Sequence, residues 1–369
     1  MRFIIAFTFF TFGMIFLRQL KDHKERTNMT LGLNLGVVWY LFFLHSLPGS
    51  FLLAAIVVIH YYLIDKKFIN YFLPVLTICL FRFFPQLDLI GVSFLCFRLL
   101  SATLERSAGE LKSATLKQYL FYCFYLPTYK LGPIGRFQDH LQSWEEEQGK
   151  RWNDLNWPQL ARVAYGIVKY IFLSVVVLNY SRSLNFDLLK SAQSFADVLI
   201  MGSFLYVSLY LSFSGFNDIA IGLSHFLGFR MKENFNHPFL ARSVGDFWSR
   251  WHISLTDLLK ELVFYPFNQH FIRKFGKNSK YVVTPASFIL LFVAIGLWHA
   301  FSMNFFILGL FYAFGAITAF YWPVKSDSRV VVILGMLLTQ IYIAVSFYIF
   351  HVDFHTLKMV LGRITGLHL

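Results

Sequence analysis

The chain has 369 residues, of which 57% are hydrophobic, 20% aromatic and only 14% charged. Its mean hydropathy is +0.55, whereas a soluble domain carries roughly a quarter charged residues. This composition excludes a disordered chain, a coiled coil, a collagen-like repeat and a disulfide scaffold, and it predicts an all-α polytopic membrane protein. The net charge is +13, from 33 Lys and Arg against 20 Asp and Glu. In a membrane protein such an excess gathers in cytoplasmic loops and faces anionic lipid. No basic block with interleaved aromatics stands out, so no nucleic acid is expected as a partner.

In chain order, residues 3–17 form an uncharged apolar segment that runs into Arg18, Lys21, Lys24 and Arg26. No small-residue cleavage site follows, so the segment reads as a first span rather than a signal peptide. Further apolar segments lie at 31–45, 50–64, 68–84 and 89–104. Their connectors alternate: four Lys/Arg in 18–26, none in 46–49, then Lys66 and Lys67, only Asp88 in 85–88, then Arg106, Lys112 and Lys117. The positive-inside rule places the basic connectors in the cytoplasm and the N-terminus outside, in a cytoplasmic (inner) membrane.

Residues 118–133 are apolar but carry Pro127, Lys130, Gly132 and Pro133, and 138–158 is polar, a surface loop or short interfacial helix. Residues 160–181 read as a span with Lys169 inside it, and 195–229 as a long apolar region broken by Ser212, Ser214, Gly215, Asn217 and Asp218. A 20-residue uncharged run at 282–301 is long enough to cross a bilayer. Ser302–Asn304 joins it to a second run at 305–322 as a tight helical hairpin, and 329–350 is the last span. The sum is about ten to eleven membrane segments with re-entrant or interfacial helices, in a single membrane-embedded domain over 1–369. The three cysteines, Cys79, Cys96 and Cys123, lie far apart in apolar stretches and read as small buried hydrophobes.

Ionisable residues at membrane depth are costly and mark candidate sites. Arg82, Arg98, Lys169, Asp218 and His299 qualify. For Arg82, Arg98 and Lys169, snorkelling or pairing with a carboxylate is the simpler explanation. His299 ends an uncharged run, where partial desolvation favours a neutral imidazole, a competent general base. Gly296, one turn earlier, permits close helix approach or substrate access. A second histidine sits in Asp246-Phe-Trp-Ser-Arg-Trp-His252-Ile-Ser254. A membrane-interface belt accounts for Trp248 and Trp251 without chemistry. Ser254-x-x-Asp257 reads as a helix N-cap, with the following helix ending near Pro266, too short to span. His351 and His355 stand four apart, which a solvated helix end explains better than a metal; no metal site is expected. No GxSxG, HExxH, Walker A or GxGxxG pattern occurs.

Several motifs occur together: Ser214-Gly-Phe-Asn-Asp218, Gly228-Phe-Arg, Glu233-Asn-Phe-Asn236, Pro238, Phe247-Trp-Ser-Arg-Trp-His252-Ile-Ser-Leu255 and Gly296-Leu-Trp-His299. With Gly91-Val-Ser-Phe94 and Leu126-Pro-Thr-Tyr-Lys-Leu-Gly-Pro-Ile-Gly-Arg-Phe137, they make the chain resemble membrane-bound O-acyltransferases. The bacterial branch is nearest, the one that includes the D-alanyl transferase of teichoic acids and the alginate and peptidoglycan O-acetyltransferases. The motif-bearing core is about 91–322. The resemblance implies a multi-helix fold around a central tunnel, with an activated acyl donor entering from the cytoplasm and an acceptor hydroxyl from the other side. It puts catalytic roles on His299 and His252. Substrate contacts are expected from Trp298, Trp251, Arg250, Asn236, Asp218 and Ser254.

The expected reaction moves an acetyl or D-alanyl group from acyl-CoA or an acyl-phosphopantetheine carrier protein, as co-substrate, to a cell-envelope glycopolymer. No bound cofactor is expected. Expected partners are the lipid bilayer, the glycopolymer, and an acyl carrier protein or an extracytoplasmic acyltransferase partner. The alternatives are a carrier-protein-dependent D-alanyl transferase, for which Arg273, Lys274, Lys277 and Lys280 offer a dock, and a polytopic transporter using Lys169, Asp218 and His299. Ala300 stands where family members often have Gly, and Phe267-Asn-Gln-His270 replaces the Leu-Gly-Gly of alginate-type enzymes. Asn217-Asp218, in contrast, looks more like the acetyltransferases.

Overall fold

The computed structural model describes residues 2–17, 23–43, 46–84, 91–111, 114–147, 157–183, 192–323 and 328–366. The connector residues Arg18, Lys21, Asp88 and Lys112 lie outside them. The described chain is almost wholly helical, as the composition requires. Without water to take backbone hydrogen bonds, a lipid-exposed segment satisfies them internally by forming a helix. Five described helical stretches are long and apolar enough to cross a membrane: Pro158–Tyr180, Phe195–Phe226, Lys277–His299, Met303–Tyr321 and Arg329–His351. The chain is thus a multi-pass membrane protein. The expected spans at 50–64 and 68–84 form helices of 17 residues each, apolar but shorter than a full crossing.

Two compact units divide the chain. The first holds Met1–Ile167 and Gly215–Glu233; the second holds Val168–Ser214 and Asn234–Leu369.

In the first unit, helices α1 (Arg2–Leu17), α2 (His23–Phe43), α3 (Leu47–Leu63), α4 (Lys67–Phe83) and α5 (Val92–Ser107) follow the hydropathy pattern. Ser46 caps α3 by accepting from the Gly49 N–H at 3.2 Å. The apolar run at 118–133 does not span. Its helix α6 (Leu116–Cys123) has eight residues, about 12 Å, and a capping box between Thr115 and Gln118 sets its start. Arg98 of α5 sets its end. The guanidinium is 2% exposed and donates to the carbonyls of Tyr122 and Cys123, both at 2.9 Å, and to Thr128 Oγ1 at 2.5 Å. Arg98 therefore neither snorkels nor pairs with a carboxylate. It supplies donors to the last carbonyls of a helix, of which that of Tyr122 otherwise takes a long bond from the Tyr125 N–H at 3.5 Å. Glu105 serves the opposite end of α7 (Phe137–Glu147), accepting from the N–H groups of Phe137 at 2.9 Å and Gln138 at 2.7 Å. The polar stretch at 138–158 thus begins as a helix.

Residues 158–183 are one helical stretch: α8 (Pro158–Ile167), a π-turn over Val168–Leu173 and α9 (Ser174–Ser183). Lys169, on the π-turn, is buried with its ammonium 5.5 Å from the Tyr210 ring centre, a cation–π contact where the sequence suggested snorkelling or a carboxylate partner.

The polar residues at 212–218 do not break α10 (Phe195–Phe226), which runs unbroken for 32 residues. Ser212 Oγ donates to the carbonyl of Leu209 at 3.0 Å, so the helix absorbs its own hydroxyl. In the second unit, α11 (Val244–Arg250) and α12 (Ile253–Leu259) are short. Pro266 does not end the latter helix. A π-turn at Lys260–Phe264 carries it into α13 (Tyr265–Phe275), where Pro266 falls in the first turn and its missing N–H costs little. Helices α14 (Lys280–His299) and α15 (Met303–Tyr321) form the expected hairpin, followed by α16 (Arg329–His351) and α17 (Phe354–Thr365). A Cβ on Gly309 would lie 2.7 Å from the Phe292 carbonyl oxygen, and one on Gly296 would strike the Phe305 carbonyl. Of the two roles open to Gly296, the geometry shows close helix approach.

Candidate active site

The candidate residues of the second unit gather where the chain leaves α10 and enters the short helices. Phe235 and Trp251 form an antiparallel bridge. The Asn236 N–H donates to the Arg250 carbonyl at 2.9 Å, and the Ile253 N–H donates to the Asn234 carbonyl at 3.0 Å. Asn236 thus contributes its backbone. Its carbonyl also accepts from Arg250 Nη1 at 3.2 Å, while its side chain is exposed. Arg250 is held from the other side by Asp246, at 2.7 Å. Trp251 is buried between Phe235, with ring centres 5.1 Å apart, and Phe247 and Phe347, each at 5.5 Å. It is a core residue and not part of an interface belt. Trp248 packs on Tyr312 at 4.8 Å and Phe292 at 5.2 Å.

His252 is buried, with φ 47° and ψ 51°. Among the described residues, only His252 and His237 are non-glycine residues with positive φ. Such a conformation costs of order 1–3 kcal/mol and persists when the surroundings over-determine it. They do here: the His252 carbonyl starts α12, accepting from Thr256 N–H at 3.0 Å, and Phe213 packs edge-on to the imidazole at 4.7 Å. His252, not Ser254, is therefore the N-cap residue. Ser254 lies inside the first turn and directs its N–H and hydroxyl to Asn234 Oδ1, at 3.0 and 2.9 Å. The same oxygen lies 3.3 Å from His252 Nδ1. The motif Glu233-Asn-Phe-Asn236 held two asparagines, and the sequence did not say which one turns inward. The turn puts Asn234 beside His252. Burial, followed by the charge of His299, pushes the His252 imidazole down to about 3, so it is neutral at physiological pH.

His299 ends α14 and its side chain is exposed. The surrounding protein does not supply the desolvation expected for it. Its ring lies 4.5 Å from that of Trp298, 5.2 Å from Phe350 and 5.9 Å from Phe305.

Asp218 belongs to the first unit, where Arg162 holds it at 3.0 Å and reaches Glu233 at 2.6 Å. Sequence reading missed Arg162, four residues into a span, and missed Asn234. The cue for the former was a charge near the start of an apolar helix; for the latter it was the quoted motif itself. A Cβ on Gly166 would lie 2.6 Å from the Gly215 carbonyl, so the α8 glycine brings the Arg162 helix against the Asp218 helix.

A helical membrane protein with two histidines in one unit, each beside tryptophan, fits an acyltransferase of the membrane-embedded type. The model of the MBOAT, membrane-bound O-acyltransferase family, matches residues 3–324, and the chain belongs to that family. The teichoic acid D-alanyltransferase of Bacillus subtilis is 28% identical over 282 residues, covering 72% of this chain and 69% of its own length. A probable alginate O-acetylase of Azotobacter vinelandii is 28% identical over 225 residues, covering 60% of this chain and 42% of its own. The peptidoglycan O-acetyltransferase of Helicobacter pylori is 28% identical over 197 residues, covering 52% and 35%.

Proposed function

We propose that the chain transfers an acyl group, acetyl or D-alanyl, from a cytoplasmic thioester to a hydroxyl of an extracytoplasmic glycopolymer of the cell envelope. The observation that carries this reading is the pair of histidines in differing settings within one unit of a chain of this family: His299 exposed at a helix end against Trp298, and His252 buried next to Trp251. His299 takes the proton of the acceptor hydroxyl. The oxygen attacks the thioester carbonyl carbon, the C–S bond breaks, and the thiolate takes the proton back from the imidazolium. No serine nucleophile is needed, and a well-placed base contributes about 10²–10⁴-fold. Trp298 lies against the His299 ring and is placed to limit its rotation. The relatives' names, D-alanyltransferase and O-acetyltransferase, support both acyl groups. Arg273, Lys274, Lys277 and Lys280 are all exposed where α13 ends and α14 begins, a basic edge suited to an acidic acyl carrier protein. The orientation follows the basic connectors: this edge is cytoplasmic, in the inner membrane, and the N-terminus is outside.

The test is deletion of the gene in its host, with complementation by wild type or His299→Ala at matched membrane levels. Mild alkali then releases ester-linked acyl groups from washed envelope polymers for mass spectrometry. An ester restored by wild type and not by His299→Ala is the expected result and names the acyl group. Full restoration by His299→Ala refutes the base assignment. Absence of any ester change refutes polymer acylation and favours a lipid acceptor or transport.

A further inference from the structure

An asparagine amide has two orientations, and the surroundings of Asn234 decide between them. The backbone N–H of Ser254 points at one end of the amide from 3.0 Å, and a backbone N–H only donates. An NH₂ group there would set donor against donor, so that end is the oxygen. Ser254 Oγ is a second donor to it at 2.9 Å. Asn234 is 0% exposed, so water offers its oxygen no alternative. His252 Nδ1 faces the same oxygen at 3.3 Å. A bare nitrogen lone pair against that oxygen would be repulsive; an N–H is attractive. Nδ1 therefore carries the proton, and in a neutral imidazole the lone pair is then on Nε2. The left-handed backbone at His252 and the edge-on Phe213 ring fix the plane in which it acts.

We propose that Asn234 is a positioning residue that locks His252 in the Nδ1–H tautomer, so that His252 presents Nε2 to the substrates as a hydrogen-bond acceptor. In this tautomer Nε2 has no proton to give to an oxyanion. His252 takes a hydrogen bond from a substrate N–H or O–H, and oxyanion stabilisation falls to other groups. The identity of that substrate group rests on the acyl-transfer reading; the tautomer does not.

The experiment is a long-range ¹H–¹⁵N correlation spectrum of the full chain in lipid nanodiscs, with ¹⁵N-labelled histidine. The His252 signals are assigned by their loss in His252→Gln. Wild type is expected to show a protonated-type Nδ1 and an imine-type Nε2. Asn234→Asp, which keeps the acceptor oxygen, retains that pattern; Asn234→Leu loses it. In a thioester-to-polymer transfer assay, Asn234→Leu lowers kcat by about tenfold or more with little change in KM, and Asn234→Asp recovers most of it. A proton on Nε2 in wild type overturns the proposal, as does an unchanged tautomer in Asn234→Leu. If Asn234→Leu does not fold, the wild-type spectrum still decides. A wild-type chain with the expected tautomer and no transfer activity would instead refute the acyl-transfer reading alone.

Discussion

Arg98→Met should be among the most damaging substitutions outside the candidate site. Arg98 is buried and donates to two backbone carbonyls and one hydroxyl within 2.5–2.9 Å. Methionine fills a similar volume but offers no donor. The carbonyls of Tyr122 and Cys123 then lie buried without the guanidinium. An orphaned buried acceptor costs about 1–3 kcal/mol. Two carbonyls and the hydroxyl would sum to several kcal/mol, partly offset because the buried charge is also gone. The net expectation is a loss of about 3 kcal/mol. Arg98→Lys should recover only part of it, since one ammonium cannot reach all three oxygens in a planar fork. The loss is local before it is global: Thr128 tethers the segment Leu126–Phe137, which carries one of the family motifs. Unfolding in mixed detergent micelles measures the stability, and hydrogen exchange of peptides covering 116–137 measures the local part. A loss below about 1 kcal/mol with unchanged exchange there would refute the role assigned to Arg98.

Other predictions follow from particular contacts. His140 is caged by Tyr125 at 5.1 Å, by Phe121 and Phe229 at 5.2 Å and by Tyr122 at 5.6 Å, and burial, then the charge of Arg98, pushes it down to about 3. The unfolded chain binds a proton near pH 6.5 and the folded chain does not, so stability falls as pH drops from 6.5 towards 3, by about 1.4 kcal/mol per pH unit for each such histidine. His252 adds the same slope. His140→Phe should remove its share, measured as a shallower decline in unfolding midpoint between pH 6.5 and 4.5. Gly309→Ala places a methyl 2.7 Å from the Phe292 carbonyl and 2.8 Å from Val293 Cα, which forces the α14–α15 hairpin apart. It should cost about 1–3 kcal/mol and reduce transfer activity through His299, whereas Gly36→Ala, with nothing within 4 Å, should be neutral or stabilising. Arg162→Met should destabilise more than Asp218→Asn, because it removes the ion pairs to both Asp218 and Glu233. Partial exposure of the pair limits the Asp218→Asn loss to about 1–2 kcal/mol, and thermal unfolding of the two variants in one detergent gives the order.

Helix class, the hairpin at Ser302 and the last span were legible because they depend on local rules. Apolar length and backbone satisfaction act on contiguous residues, whatever lies across the fold. The two motif histidines were legible for a related reason, since each sits in a short contiguous pattern with tryptophan. Several local cues misled. Ser254-x-x-Asp257 looks like a cap, yet Ser254 points both its donors at Asn234 instead. Pro266 looks like a stop, yet a π-turn carries the helix past it. The polar residues at 212–218 look like a break, yet Ser212 bonds to the helix itself and Asn217 and Asp218 bond to residues far away in sequence.

The sequence by itself determined that this protein is a helical membrane protein and which histidines to watch. Only the tertiary structure decided their partners: Arg98 on the carbonyls of α6, Arg162 on Asp218 and Glu233, and Asn234 on His252. Each of those pairings joins residues 18 to 71 positions apart. A hydrogen bond is decided by position and direction to within a few tenths of an ångström, which hydropathy and spacing do not carry.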